Sequence, residues 1–211
     1  MTDDKYKTIG SESSLEFEPA AKLVVIFIFL FFGGLFCSCR NDREPNVTIY
    51  EAVKQGDLKA FQQLLKIDSA ILNTQNADTD ELPFFHFVVK YCPNVEIIRI
   101  LVEQYEVDVN AKGRIGRTPI HESASYNSDV EILKYLVSQG ADVNTKCRFG
   151  ATPLYHAALS NPNVEILKYL VSQGADVNEN NYFGVMPFDV AKSEEKKAYL
   201  RSVGGKSGRK N

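Results

Sequence analysis

Four thiols and three imidazoles are the residues that could do chemistry in this chain of 211 residues: Cys37, Cys39, Cys92 and Cys147, with His86, His121 and His156. A thiol can be acylated, paired in a disulfide or bound to zinc. An imidazole can hold a metal or move a proton, but only with converging partners. The spacing favours neither zinc nor a disulfide framework. Cys37 and Cys39 crowd the end of an apolar run, and Cys92 and Cys147 stand alone. The chain holds no G-x-S-x-G, no H-E-x-x-H, no phosphate-loop motif and no C-x-x-C pair. Gly33-Gly34 falls within the apolar run, Gly204-Gly205 and Gly208 fall in a polar tail, and Glu194-Glu195 reads as a solvated helix face. The expectation is a protein that is not an enzyme, with no cofactor, no metal and no small-molecule substrate. The net charge of −3 lacks the basic excess of a nucleic-acid binder.

Cys39 closes an uncharged stretch from Leu23 to Cys39, bracketed by Lys22 and Arg40. Its length lies at the lower edge of the roughly 17–25 residues a helix needs to cross a bilayer. Two readings stay open. One is an uncleaved transmembrane helix. The other is a lipoprotein signal, because Phe36-Cys37-Ser38-Cys39 resembles a bacterial lipobox, which implies lipidation at Cys39. Phe36 replaces the usual Leu, and the leader carries five acidic residues against Lys5, Lys7 and Lys22, where a signal peptide favours a short basic one. The lysines before the run place residues 1–22 on the cytoplasmic side and the rest of the chain outside, in the periplasm or at the cell surface of a bacterium. Asn46-Val47-Thr48 matches a glycosylation triplet but reads as linker.

The second half of the chain repeats itself. Val130–Asn144 reads VEILKYLVSQGADVN, and Val164–Asn178 repeats it 34 positions on. Gly116, Gly150 and Gly184 keep that period, as do Pro119, Pro153 and Pro187. A strict period of this size means stacked units rather than one globular core. Each unit can be built from its chemistry. Thr118-Pro119 and Thr152-Pro153 supply a capping hydroxyl and then Pro at the first helical position. Small residues in the short helix that follows permit close approach of its neighbours. Asp129 and Asn163 cap a second helix, whose Ile132, Leu133, Leu136 and Val137 form one apolar stripe. Gly140 and Gly174 stand where a left-handed C-cap is wanted.

Helix, turn, helix and loop at this length, with T-P-x-H and G-A-D-V-N, resemble the ankyrin repeat. The resemblance is most specific from Gly116 and from Gly150. It extends by spacing to a unit with Leu82-Pro83, His86 and Asn94, where Tyr105-Glu106 stands for Gly-Ala, and to a first unit with Gly56-Asp57 and Leu64-Leu65. It implies an all-α ankyrin-repeat solenoid over residues 47–203, in units of about 47–80, 81–115, 116–149, 150–183 and 184–203. Before it come a leader (1–22), the apolar segment (23–39) and a linker (40–46); a flexible tail (204–211) follows. The turn between helices is a residue longer than the family's usual Gly-His turn, in a family whose period is about 33.

The resemblance also assigns roles. His86 and His121 are expected to bond around the T-P-x-H turn and to the next unit, and Tyr155 takes that position in the third. Cys92 and Cys147 are expected as unpaired thiols at opposite ends of the helices. Ankyrin partners engage loop tips and the exposed side of the first helices, which maps to Lys112, Arg114, Lys146, Arg148 and Tyr182 on the tips and to Glu122, Tyr126 and an exposed His156 on the helices. Ile115, Phe149 and Phe183 are expected to pack beneath the next loop. The implied function is a membrane-attached scaffold for a protein partner. The rival readings are a structural or protective envelope protein without a specific partner, and a membrane-tethered cytosolic adaptor.

Overall fold

The computed structural model describes residues 48–73, 75–76, 82–113 and 115–208. Within them, five helix pairs follow one another. They are α1 (Ile49–Gln55) with α2 (Leu58–Ile67), α3 (Phe84–Tyr91) with α4 (Val95–Tyr105), α5 (Pro119–Tyr126) with α6 (Val130–Ser138), α7 (Pro153–Ser160) with α8 (Val164–Ser172), and α9 (Pro187–Val190) with α10 (Glu194–Ser202). A 3-10 turn at Ser69–Asn73 follows α2. The one departure from an all-helical fold among these residues is a two-residue antiparallel pair, in which Gln75 faces Pro83 and Asn76 faces Leu82. First helices pack on first helices and second on second along the series. No helix among the described residues is long and apolar enough to cross a membrane. The Leu23–Cys39 segment, with Cys39, lies outside them.

Local chemistry starts most of these helices. The Thr48, Asp57, Asn94, Asp129, Asn163 and Ser193 side chains each accept a backbone N–H of the helix that follows. Thr48 is therefore a helix cap, although the triplet containing it reads as linker. The stripes then meet. Ile97, Ile98, Leu101, Ile132, Leu133, Leu136, Ile166, Leu167 and Leu170 are fully buried in one continuous core with Phe61, Phe84 and Phe87. Each such side chain contributes about 1.5–3 kcal/mol relative to exposure, and none can be covered within its own pair.

The pair at α3 and α4 shows how its longer length is absorbed. Pro83 is the N-cap, without a hydroxyl, so Pro83 and not Leu82 stands in the register of Thr118. The extra residue is taken up at the end of α4, where Val107 N–H reaches back to Leu101 while Ala141 N–H bonds Leu136 one residue nearer. Glu106, rather than Tyr105, holds the glycine position, at φ 52.

Two asparagine ladders tie pair to pair. In the first, Asn127 Nδ2 donates to Val89 and Cys92 carbonyls, and Asn161 Nδ2 donates to those of Ala124 and Asn127. In the last pair Lys196 takes this place, its Nζ donating to Ala157, Ala158 and Asn161 carbonyls. Lys196 is buried, although it stands in a run of four charged residues, Glu194 to Lys197. In the second ladder Asn110, Asn144 and Asn178 each bond the loop of the following pair, at Gly140 and Asp142, at Gly174 and Asp176, and at Gly204 and Lys206. The stretch expected as a flexible tail is thus bound down as far as Gly208, where Asp189 accepts from Ser207 and from Gly208 N–H.

Candidate partner-binding surface

The three loops that follow α4, α6 and α8 fold back on themselves. Gly113 N–H bonds the Arg117 carbonyl, Cys147 N–H that of Ala151 and Asn181 N–H that of Val185. Gly116, Gly150 and Gly184 close the tips with φ of 71, 76 and 73, a conformation that costs L side chains about 1–2 kcal/mol. Neighbouring tips are joined through the backbone, Arg148 N–H to the Ile115 carbonyl at 2.8 Å and Tyr182 N–H to that of Phe149 at 3.0 Å. The Tyr182 ring also lies against Gly150, where an added Cβ would approach it to 2.6 Å.

The tips therefore line up as the period implies, but their apolar side chains do not pack beneath the next loop. Ile115, Phe149 and Phe183 are 36, 48 and 75 % exposed, and Tyr182 is 72 % exposed. The hydrogen bonds that join the tips are made by the backbone, so these side chains are not drawn inward to make them. Lys112 and Arg148 are exposed beside them. Lys146 is paired with Glu179 at 2.9 Å. Arg114 lies outside the described residues.

On the first helices the structure corrects two expectations. Glu122 is only 1 % exposed, so it cannot meet a partner. Its Oε1 accepts from Arg117 Nη1 at 3.1 Å, because an otherwise isolated carboxylate inside the stack would carry a large desolvation cost. His156 occupies the Glu122 register one pair on and is half-buried rather than exposed. The same guanidinium donates to its Nδ1 at 2.7 Å and to Ser125 Oγ at 3.1 Å. Burial, and then the adjacent guanidinium, push the His156 pKa down to about 3. Tyr126 is exposed.

The buried imidazoles are structural. His121 Nδ1 accepts from Thr118 N–H, and its Nε2 donates to the Ala151 carbonyl at 3.2 Å. Burial lowers its pKa to about 4. His86 Nε2 likewise meets the Arg117 carbonyl at 3.0 Å, but Pro83 supplies neither N–H nor hydroxyl, so His86 Nδ1 has no partner. Among the described residues no cluster of His, Cys, Asp or Glu is placed to hold a metal ion. Cys92 and Cys147 are buried free thiols, and burial pushes Cys92 up to about 11, far from a reactive thiolate.

Sequence reasoning missed a row of cations and rings beside Tyr126. Lys54 lies 5.8 Å from the Tyr91 ring, Lys90 lies 4.9 Å from Tyr91 and 4.3 Å from Tyr126, and Arg117 lies 5.8 Å from Tyr126. Tyr91 and Tyr126 share one register in consecutive pairs, which is the signal that could have found them. Lys54 and Lys90 have no counterpart at that spacing and come together only in the stack.

The model for ankyrin repeats in three copies matches residues 49–147 and 85–181. A protein of Rickettsia felis named as an ankyrin repeat protein is 31% identical over 96 residues, covering 45% of this chain and 42% of its own length. Alpha-latrocrustotoxin-Lt1a of Latrodectus tredecimguttatus is 36% identical over 55 residues, covering 26% of this chain and 4% of its own length. The chain thus spans less than half the length of either relative. With matches across most of its length and helix pairs stacked at the repeat's spacing, the chain belongs to the ankyrin-repeat family.

Proposed function

We propose that the protein is a non-catalytic scaffold, attached to a membrane through residues 23–39, that holds a protein partner on its loop tips and first helices. The observation that carries this reading is the tip row. Ile115, Phe149, Tyr182 and Phe183 stay exposed on loops pinned by backbone hydrogen bonds, with Lys112 and Arg148 beside them. Aromatic residues and arginine dominate binding energy at interfaces, and a surface already rigid loses little freedom on binding. Arg114 and Lys146 belong to the same row by repeat position. The repeat domain faces away from the cytoplasm in this reading, and Cys39 is the lipidation site if the N-terminal segment is cleaved.

Affinity capture of the full-length chain from its native membranes tests the proposal. One stoichiometric partner is expected, lost in an Arg148→Ala/Tyr182→Ala variant of unchanged melting temperature. Scattered, salt-sensitive contaminants would overturn it in favour of an envelope protein without a specific partner. The mass of the N-terminal peptide from the same preparation tests attachment: a chain beginning at an acylated Cys39 marks a lipoprotein, an intact Lys22–Arg40 segment in the membrane fraction marks an anchor helix, and recovery in the soluble fraction excludes both.

A further inference from the structure

The first helices carry cations that the rest of the fold leaves uncompensated. On four of the second helices a cation is paired within its own helix: Arg99 with Glu96 and Glu103, Lys134 with Glu131, Lys168 with Glu165, and Lys197 with Glu194; among the described residues Lys59 and Lys66 of α2 and Arg201 of α10 make no ion pair. The first helices differ. No acidic residue occurs in α3 or α7. The carboxylates in the other three are already engaged. Glu51 accepts from Thr48 N–H, Glu122 is buried on Arg117, and Asp189 accepts from Met186, Ser207 and Gly208. Lys54 and Lys90 therefore have aromatic rings beside them but, among the described residues, make no ion pair; Glu51, one turn before Lys54, is held on the Thr48 cap.

These groups form one continuous strip across three pairs, in the order Lys54, Tyr91, Lys90, Tyr126, Arg117. Tyr91 and Tyr126 are 40 and 49 % exposed. A ring face attracts an ammonium but supplies no hydrogen-bond acceptor of carboxylate strength, so the N–H groups of both lysines remain available. The strip thus combines two cations without ion pairs, Lys54 and Lys90, with aromatic contact area and with Arg117, which Glu122 already pairs, in a chain whose net charge is −3.

We propose that this strip binds an extended acidic segment of the protein partner, rich in Asp and Glu. The inference rests on the scaffold reading and gives it a ligand chemistry. Two helix-to-helix steps of about 8–10 Å separate α1 from α5, a span that about six extended residues cover. Carboxylates on alternate residues of such a segment meet Lys54 and Lys90, while its intervening side chains lie on Tyr91 and Tyr126. Charge complementarity here sets partner choice and association rate. A single-stranded nucleic acid is the weaker candidate, because the chain carries a net charge of −3 and the strip offers two lysines without ion pairs rather than a long basic groove that tracks a phosphate backbone.

Fluorescence anisotropy of the full-length chain with a labelled hexaglutamate peptide tests this directly. Binding is expected at low salt and is expected to weaken at high salt. Lys54→Gln/Lys90→Gln lowers the affinity by about tenfold or more, while Lys90→Arg preserves it. Hexaglutamate that fails to bind, or binds the Gln variant as tightly as the parent, overturns the proposal. So does oligothymidylate that binds more tightly than hexaglutamate and is lost in the same variant. Partner capture separates the two readings. If the Gln variant still captures the partner and Arg148→Ala/Tyr182→Ala does not, the acidic-segment proposal fails and the scaffold stands. If both variants retain whatever the parent retains, the scaffold reading fails, and the peptide titration still decides the strip.

Discussion

His121 and His156 are held neutral by burial, with pKa values of about 4 and about 3, and that has a consequence for stability. An imidazole in the unfolded chain titrates near 6.5. Between that value and the folded ones the unfolded chain binds more protons, so stability rises with pH through this window. It is fully present above about pH 6.5 and is lost as pH falls toward 4. The slope is about 1.4 kcal/mol per pH unit for each imidazole protonated only in the unfolded chain, and water screening at half-buried His156 narrows its window. Urea unfolding between neutrality and about pH 5 checks this, and His156→Asn is expected to flatten the slope. The imidazole at T-P-x-H was legible because His121 faces its own turn. The partner of His156 was not, because Arg117 stands 39 residues away in sequence and reaches it only across the stack.

Helix ends and the ladders between pairs set the next scale. Glu106 ends α4 in the left-handed region at φ 52, the one non-glycine residue there among the described positions. Gly140 and Gly174 end α6 and α8 at φ 86. Glu106→Gly should raise the unfolding free energy by about 1 kcal/mol, since the Cβ penalty of that conformation exceeds the entropy glycine adds to the unfolded chain. A urea midpoint no higher than that of the parent would count against it. Asn161→Ala should cost about 1–3 kcal/mol, because the Ala124 and Asn127 carbonyls stay buried and lose their donor. The caps at Asp129 and Asn163 were readable, as each bonds a residue two positions on. The ladder through Asn127 and Asn161 was not, because each amide spans more than thirty residues.

Across the whole molecule, each pair gives its apolar stripe and its ladder residues to its neighbours, so units should be removable in register. Deleting residues 150–183 joins Phe149 to Gly184 and brings Lys196 to the carbonyls of Ser123, Ala124 and Asn127, the registers of those it binds now. The shortened chain is expected to keep its helical circular dichroism and unfold cooperatively at a lower urea midpoint. Complete loss of helicity would sink the nearest-neighbour account. The sequence by itself determined the helix pairs, their period and the caps at Asp129, Thr152 and Asn163, because capping, glycine φ and apolar spacing act within about ten residues of chain. Tertiary structure decided what the surface offers. It buried Glu122 and Lys196, turned Phe149 and Phe183 outward, pinned residues 204–208, and set Lys54 and Lys90 among the tyrosines. Most of these outcomes depend on contacts between residues far apart in sequence, and only the stack brings those residues together.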